Sequence, residues 1–271
     1  MYVRSIPYGK EEHCYGIKIN LYVEIVMEKK QLKFNEKNHK YTIDGKELIS
    51  VTTLIHSCFP EFDTDKVAEG CMNKAGYKGM SKEEIIEGWL KNRDEAARRG
   101  TLLHEFAEDY LRDKDPGFID NLEDECEVIE DYIEEQLLTK YEFIDAEVRV
   151  FDADWMIAGT VDLLMRNRET GKMAIFDWKT NKKINKFNKW SKGLGSLNLL
   201  PDCNFMHYSL QLNMYKAILH NNDYYDMTDC ELALLHVDMK KEGVIVRIDV
   251  EDHENDLGLL LTERGVFEKS A

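Results

Sequence analysis

Hydrophobic positions along the chain follow two rhythms. In "FIDAEVRVFD" (143–152), "MIAGTVDLLMRN" (156–167) and "MAIFDWKTN" (173–181) they alternate with polar residues or form short apolar runs, the signature of strands. Glu169-Thr170-Gly171 separates the last two and predicts a turn that makes them antiparallel neighbours. On both sides the spacing changes to three and four. Leu122, Cys126, Ile129, Ile133 and Leu137 lie on one face of a helix whose other face is acidic. "SVTTLIHSCF" and "SKEEIIEGWLKNRDEAARRGTLLHEFAEDYLRD" also predict helices, the second starting at a Ser81 cap with Glu84 three residues on.

Downstream, "FMHYSLQLNMYKAILH" predicts a helix, "ELALLHVDM" and "GVIVRIDV" predict strands, and "HENDLGLLLTERGVFEK" predicts a closing helix. Near the other end, "KFNEKNHKYTIDGKEL" alternates around Asp44-Gly45 and predicts a hairpin. Helix, three strands, helix, strand is the order of an α/β fold with a mixed central sheet flanked by helices. There is no internal repeat, low-complexity tract or linker-like stretch, so a single domain over residues 1–271 is expected.

Composition narrows the chemistry. At 43% hydrophobic, 32% charged and four prolines, the 271-residue chain has the make-up of an ordered globular protein. Six scattered cysteines (Cys14, Cys58, Cys71, Cys126, Cys203, Cys230) without a CxxC predict reduced thiols and a cytoplasmic location, and no apolar run is long enough for a membrane span. A net charge of −16 argues against nonspecific coating of nucleic acid. The stretch after Trp178 departs from that balance: Lys179, Lys182, Lys183, Lys186, Lys189 and Lys192 occur with no acid before Leu200. This run is either a solvated loop or a local track for phosphates.

Asp177 and Lys179 are two apart on a strand and so share a face, and the antiparallel neighbour can bring Asp162 beside them. Carboxylates that converge repel unless a cation lies between them, and oxygen ligands suit Mg²⁺ or Mn²⁺. A surface ion pair is the alternative for Asp177 and Lys179 taken alone. Gln211 and Tyr215, at i and i+4, and His104 and Glu108, at the same spacing after Gly100-Thr101, lie each on one helix face. Each pair reads either as a placed polar group or as structural packing.

Together, Gly100 and His104, Glu147, Gly159 and Asp162, Asp177-Trp178-Lys179, and Gln211 with Tyr215 resemble the PD-(D/E)XK nuclease superfamily, and within it the RecB-like exonuclease branch. The match runs from about residue 98 to 220. Asp-x-Lys alone is a weak motif; its order among the other three is what makes the pattern specific. The resemblance implies a restriction-endonuclease-like core over 98–250, an N-terminal hairpin and helical elaboration over 1–97, and a C-terminal helix over 251–271. It implies Asp162, Asp177, His104 and the Trp178 carbonyl as metal ligands, Lys179 as the group that activates water, Gln211 and Tyr215 as residues that orient the DNA backbone, and Glu147 as an outer acid.

The implied activity is Mg²⁺- or Mn²⁺-dependent hydrolysis of DNA from single-stranded ends, in repair, recombination or phage-type processing. Lys182, Lys183, Lys186, Arg98 and Arg99 are the expected phosphate contacts. Residues 61–112, with Trp89 and Arg93 besides those arginines, could arch over the site or simply cap it. Several RecB-like relatives hold an iron–sulfur cluster on four cysteines; with only Cys203 near the Gln–Tyr helix, no cluster is expected here. No GxxxxGK[ST] loop occurs, so a helicase or recombinase partner would be a separate chain. The competing readings are a catalytically idle nucleic-acid-binding module and a restriction-type endonuclease.

Overall fold

The computed structural model describes residues 32–35, 40–117, 119–239 and 243–265. Part of the hairpin sequence (36–39), Cys14 and the last residues of the closing helix sequence lie outside them. Among the described residues eight strands form one mixed sheet: β1 (Lys33–Asn35), β2 (Lys40–Ile43), β3 (Lys46–Ser50), β4 (Tyr141–Asp152), β5 (Ile157–Asn167), β6 (Met173–Lys179), β7 (Glu231–Asp238) and β8 (Val244–Asp249). The helices are α1 (Val51–Ser57), α2 (Thr64–Cys71), α3 (Lys82–Leu111), α4 (Glu123–Tyr132), α5 (Asn204–Asn221) and α6 (Glu254–Glu263).

The predicted hairpin is β2–β3, turning at Asp44 and Gly45 with φ of 48° and 77°. Two successive positive φ values give the turn whose twist suits paired strands. β1 adds a third strand that the alternation did not separate. The expected helix through Leu137 runs as α4, then a π turn over Ile133–Leu137 and a last short turn over Leu138–Lys140. All five apolar positions on its predicted face are buried.

β5 organises the sheet. β4 pairs along its length, while its other edge is shared: β3 runs parallel to its start at Ile157–Ala158, and β6 runs antiparallel to its end from Leu163 to Arg166. The edge between, Gly159 to Asp162, has no strand partner on that side among the described residues, and there β6 diverges toward β7, which it pairs in parallel from Ala174 to Lys179. Split sheet edges leave backbone and side chains reachable, and this split lies where the charged residues of β5 and β6 meet.

Side chains of β6 alternate between two layers. Met173 and Ile175 pack with α1, α5 and α6; Ala174, Phe176 and Trp178 pack against α3 and α4. Asp177 and Lys179 therefore take the α5 face. Ser81 and Glu84 form a reciprocal capping box at the start of α3, an arrangement worth about 1 kcal/mol. Within α3, Ile85 is buried at one end and Leu103, Phe106, Ala107 and Leu111 at the other, and between them residues 90–98 are all exposed. Roughly 13 Å of this helix thus stands away from the core.

Candidate active site

Strand geometry draws the carboxylates together. Glu147 of β4 and Asp162 of β5 lie between the paired positions Ala146↔Leu163 and Val148↔Val161. At Glu147 the backbone has φ of 47°, a conformation rare for a residue with a side chain and unusual inside a strand. On β5 the alternation also changes layer here, since Val161 packs on the α5 side and Leu163 on the α3 side. Both acids thus leave the regular pleat and face His104 of α3.

His104 Nδ1 lies 3.3 Å from Asp162 Oδ2 and 4.0 Å from Glu147 Oε1. Its Nε2 is 3.1 Å from the Trp178 carbonyl oxygen. Asp162 Oδ2 accepts a hydrogen bond from the Trp178 backbone N–H at 3.0 Å, bridging the gap where β6 leaves β5. One donor atom each from His104, Glu147 and Asp162 falls within 4.8 Å of the others.

Asp177, 1% exposed, forms an ion pair with Lys179, whose side chain is 14% exposed. Gln211 Nε2 donates to Asp177 Oδ1 at 3.3 Å and to Tyr215 Oη at 3.1 Å. Asp177 Oδ2 has the ammonium beside it but receives no hydrogen bond of proper geometry. The donor atoms that converge are those of His104, Glu147 and Asp162, two carboxylates and an imidazole that suit a divalent cation held through oxygen and nitrogen, with the Asp177–Lys179 pair beside them.

Electrostatics point the same way. Burial, then the carboxylates of Asp162, Glu108 and Asp177, push the Glu147 carboxyl up to about 8. Burial also raises Asp177 above the ordinary range, with Lys179 pulling it down and Asp162 pushing it up. Burial would lower Lys179, but the Asp177 and Asp162 carboxylates outweigh it and hold the ammonium above its usual value. Tyr215 is raised well above 10 by burial and then by the same two acids.

Two glycines make the assembly sterically feasible. A Cβ on Gly159 would come within 2.5 Å of Tyr215 Cε1, so the Tyr215 ring packs this close to β5 only because the strand carries glycine at that point. A Cβ on Gly100 would lie 3.3 Å from Thr180 Oγ1, and this close approach brings α3 down onto the end of β6.

The structure thus brings His104, Asp162, Asp177, Trp178, Lys179, Gln211 and Tyr215 to one locality, with the Glu147 side chain beside His104 and Asp162. The arginines differ. Arg99 is engaged with Glu125 of α4, Arg93 with Asp94, while Arg98 is exposed. Trp89 donates to Tyr77 Oη at 3.1 Å and packs in the small cluster at the outer end of α3. Lys182, Lys183 and Lys186 are exposed on the connection leaving β6.

Three further residues support the site. The Lys179 ammonium sits 4.5 Å from the centre of the Tyr208 ring, and Tyr208 Oη donates to Asn181 Oδ1 at 2.9 Å. Tyr208 lies three residues before Gln211 and seven before Tyr215, so the face that carries those two also carries it. Arg112 Nη2 donates to the Ala146 carbonyl at 2.8 Å and to Asp145 Oδ1 at 2.6 Å, fixing the backbone beside Glu147. Only proximity in the fold reveals this role, because Arg112 belongs to a helix end 34 residues earlier.

The chain belongs to the PD-(D/E)XK nuclease superfamily, whose family model matches residues 53–264. Nucleases of this superfamily use divalent metals and act on DNA. No curated protein matches the sequence. Among solved structures it is similar to the protein SSO0001, at 14% identity and TM-score 0.36 over 96% of this chain and 86% of that one. It is also similar to a candidate exonuclease from Eubacterium rectale, at 10% identity and TM-score 0.39 over 62% and 66%. These overlays are too loose to transfer a substrate. Among the described residues no helix is long and apolar enough to cross a membrane.

Proposed function

We propose that the protein is a Mg²⁺- or Mn²⁺-dependent exodeoxyribonuclease of the RecB-like branch, acting on single-stranded DNA ends. The observation that carries this reading is the convergence of His104, Glu147 and Asp162 beside the buried Asp177–Lys179 pair. Asp162, Asp177, His104 and the Trp178 carbonyl would hold the metal, with Glu147 joining them. When bound, the metal supplies Lewis acidity to the scissile phosphate.

The chain's own residues do the rest. Lys179, anchored by Asp177 and the Tyr208 ring, would hydrogen-bond the attacking water and orient it toward phosphorus. Gln211 Nε2 donates both its N–H groups, one to Asp177 and one to Tyr215, so it fixes the carboxylate's rotamer and holds the phenol beside the site. The exposed stretch of α3 over residues 90–98, with Arg98 on it, supports a threaded substrate, since it offers a length of helix along which a strand could lie.

The test compares a linear single strand with a closed circle of the same sequence, in Mg²⁺, Mn²⁺ or EDTA. Metal-dependent loss of the linear strand from its end, with the circle intact, is the expected result. Equal cleavage of both would make the protein an endonuclease, and cleavage in EDTA would remove the metal.

A further inference from the structure

Residues 180–203 connect β6 to α5 with almost no regular structure: a short 3-10 turn at Gly195–Leu197 and one isolated bridge, Lys192 to Pro201. Connections this long in a compact domain usually carry function. This one is well ordered by its own hydrogen bonds. Asn188 Oδ1 accepts from the N–H groups of Trp190 and Ser191, and Asn188 Nδ2 donates to the Asp202 carbonyl at 2.7 Å. Ser191 Oγ donates to Asp202 Oδ2 at 2.8 Å.

On that braced segment two aromatic side chains point outward. Trp190 is 86% exposed and Phe187 72% exposed. Displaying two large aromatics gives up burial worth about 1.5–3 kcal/mol for a Phe-sized side chain, which a fixed loop has no folding reason to do. Lysines stand among them: Lys189 Nζ is 4.4 Å from the Trp190 ring centre, and Lys186 Nζ is 4.9 Å from the Phe205 ring. Aromatic faces interleaved with cations bind single-stranded nucleic acid, whose bases stack while its phosphates meet the charges. A duplex keeps its base faces covered, and a chain of net charge −16 offers phosphate few other places to dock.

The segment also leads from the chemistry. It begins at Lys179 and is held to the start of α5, where Phe205 N donates to the Asn185 carbonyl and Asn204 Nδ2 to that of Lys183. Phe205 precedes Gln211 by six residues, about 9 Å along the helix axis. That distance is two to three stacked base steps of ~3.4 Å.

We propose that Phe187 and Trp190 form a base-stacking platform for single-stranded DNA, with Lys186 and Lys189 engaging its phosphates, and that it grips the strand beyond the scissile position. This rests on the nuclease reading for its orientation but not for its binding chemistry.

Binding is measured by fluorescence anisotropy with labelled oligo(dT) and an abasic oligomer of equal length, in EDTA and again in Ca²⁺. Trp190→Ala should weaken oligo(dT) binding about 5- to 150-fold, the range for loss of one base–aromatic stack. Trp190→Phe should restore most of it, and the abasic strand, which has phosphates but no bases, should bind both variants like the wild type. Unchanged oligo(dT) affinity in Trp190→Ala, or an equal loss on the abasic strand, overturns the platform. A wild-type dimer by sedimentation that Trp190→Ala dissociates would overturn it too, making the patch a self-association surface. Cleavage is scored separately: an active enzyme with no Trp190 effect refutes only the platform, whereas Trp190-dependent binding without metal-dependent cleavage refutes only the nuclease reading.

Discussion

Replacing Glu147 with glutamine removes a carboxylate that the metal-free protein holds at a cost. In the unfolded chain this group ionises near 4.5, whereas in the fold burial and the acids Asp162, Glu108 and Asp177 raise it to about 8. Between those values the folded state keeps a proton that the unfolded state has released, so its contribution to stability declines as pH rises from 4.5 to 8. Because the side chain is 39% exposed, solvent screens most of the effect, and about 1 kcal/mol is the expected penalty above pH 8. Glutamine preserves the shape and the backbone conformation without the charge. In EDTA at pH 8.5, Glu147→Gln should therefore be more stable than the wild type by about 1 kcal/mol, a rise of about 2–4 °C in Tm for a chain of this size. The advantage should shrink toward pH 5. With saturating Mg²⁺ or Mn²⁺ the order should reverse, because the wild type gains more from the cation. Thermal denaturation across pH, with and without metal, tests this directly. A Glu147→Gln protein no more stable than wild type in EDTA at pH 8.5, or one whose advantage does not depend on pH, would refute the reasoning.

Lys179→Ala should reduce single-turnover cleavage by about 10²- to 10⁴-fold with a smaller change in DNA affinity; weaker affinity with turnover intact would make it only a phosphate-binding residue. Neutralising Lys182, Lys183 and Lys186 together should weaken binding to all sequences and flatten its salt dependence, by roughly 0.7 in slope for each single-strand phosphate left without its lysine. Gly159→Ala should destabilise by about 1–3 kcal/mol in denaturant titrations, since its Cβ would meet the Tyr215 ring at 2.5 Å; pairing it with Tyr215→Ala should recover part of that stability.

Much of the fold was legible because period and punctuation agree. Gly171 sits at φ 71° in the turn that joins β5 and β6, and those strands pair as the pattern required. The local pair Asp177 and Lys179 follows from strand alternation, and Asp162 from the hairpin. What the pattern did not disclose depends on departures from it. The positive φ of Glu147 turns its carboxyl into the cluster, and no periodicity announces a strand residue off the pleat. Arg112 and Arg99 look alike in sequence, but one braces Ala146 and the other ties α3 to α4 through Glu125. The π turn at Ile133–Leu137 keeps the same apolar positions buried, so it leaves no mark on the spacing.

The most direct test follows an end-labelled single strand with the wild type and with Asp162→Ala and Asp177→Ala, each in EDTA and after Mg²⁺ or Mn²⁺ is restored. The arrangement of His104, Asp162, Asp177 and Lys179 predicts cleavage by the wild type only when metal is returned, and none by either variant despite intact folding by circular dichroism. Wild-type cleavage in EDTA, or full activity of Asp177→Ala in restored Mg²⁺, would contradict it.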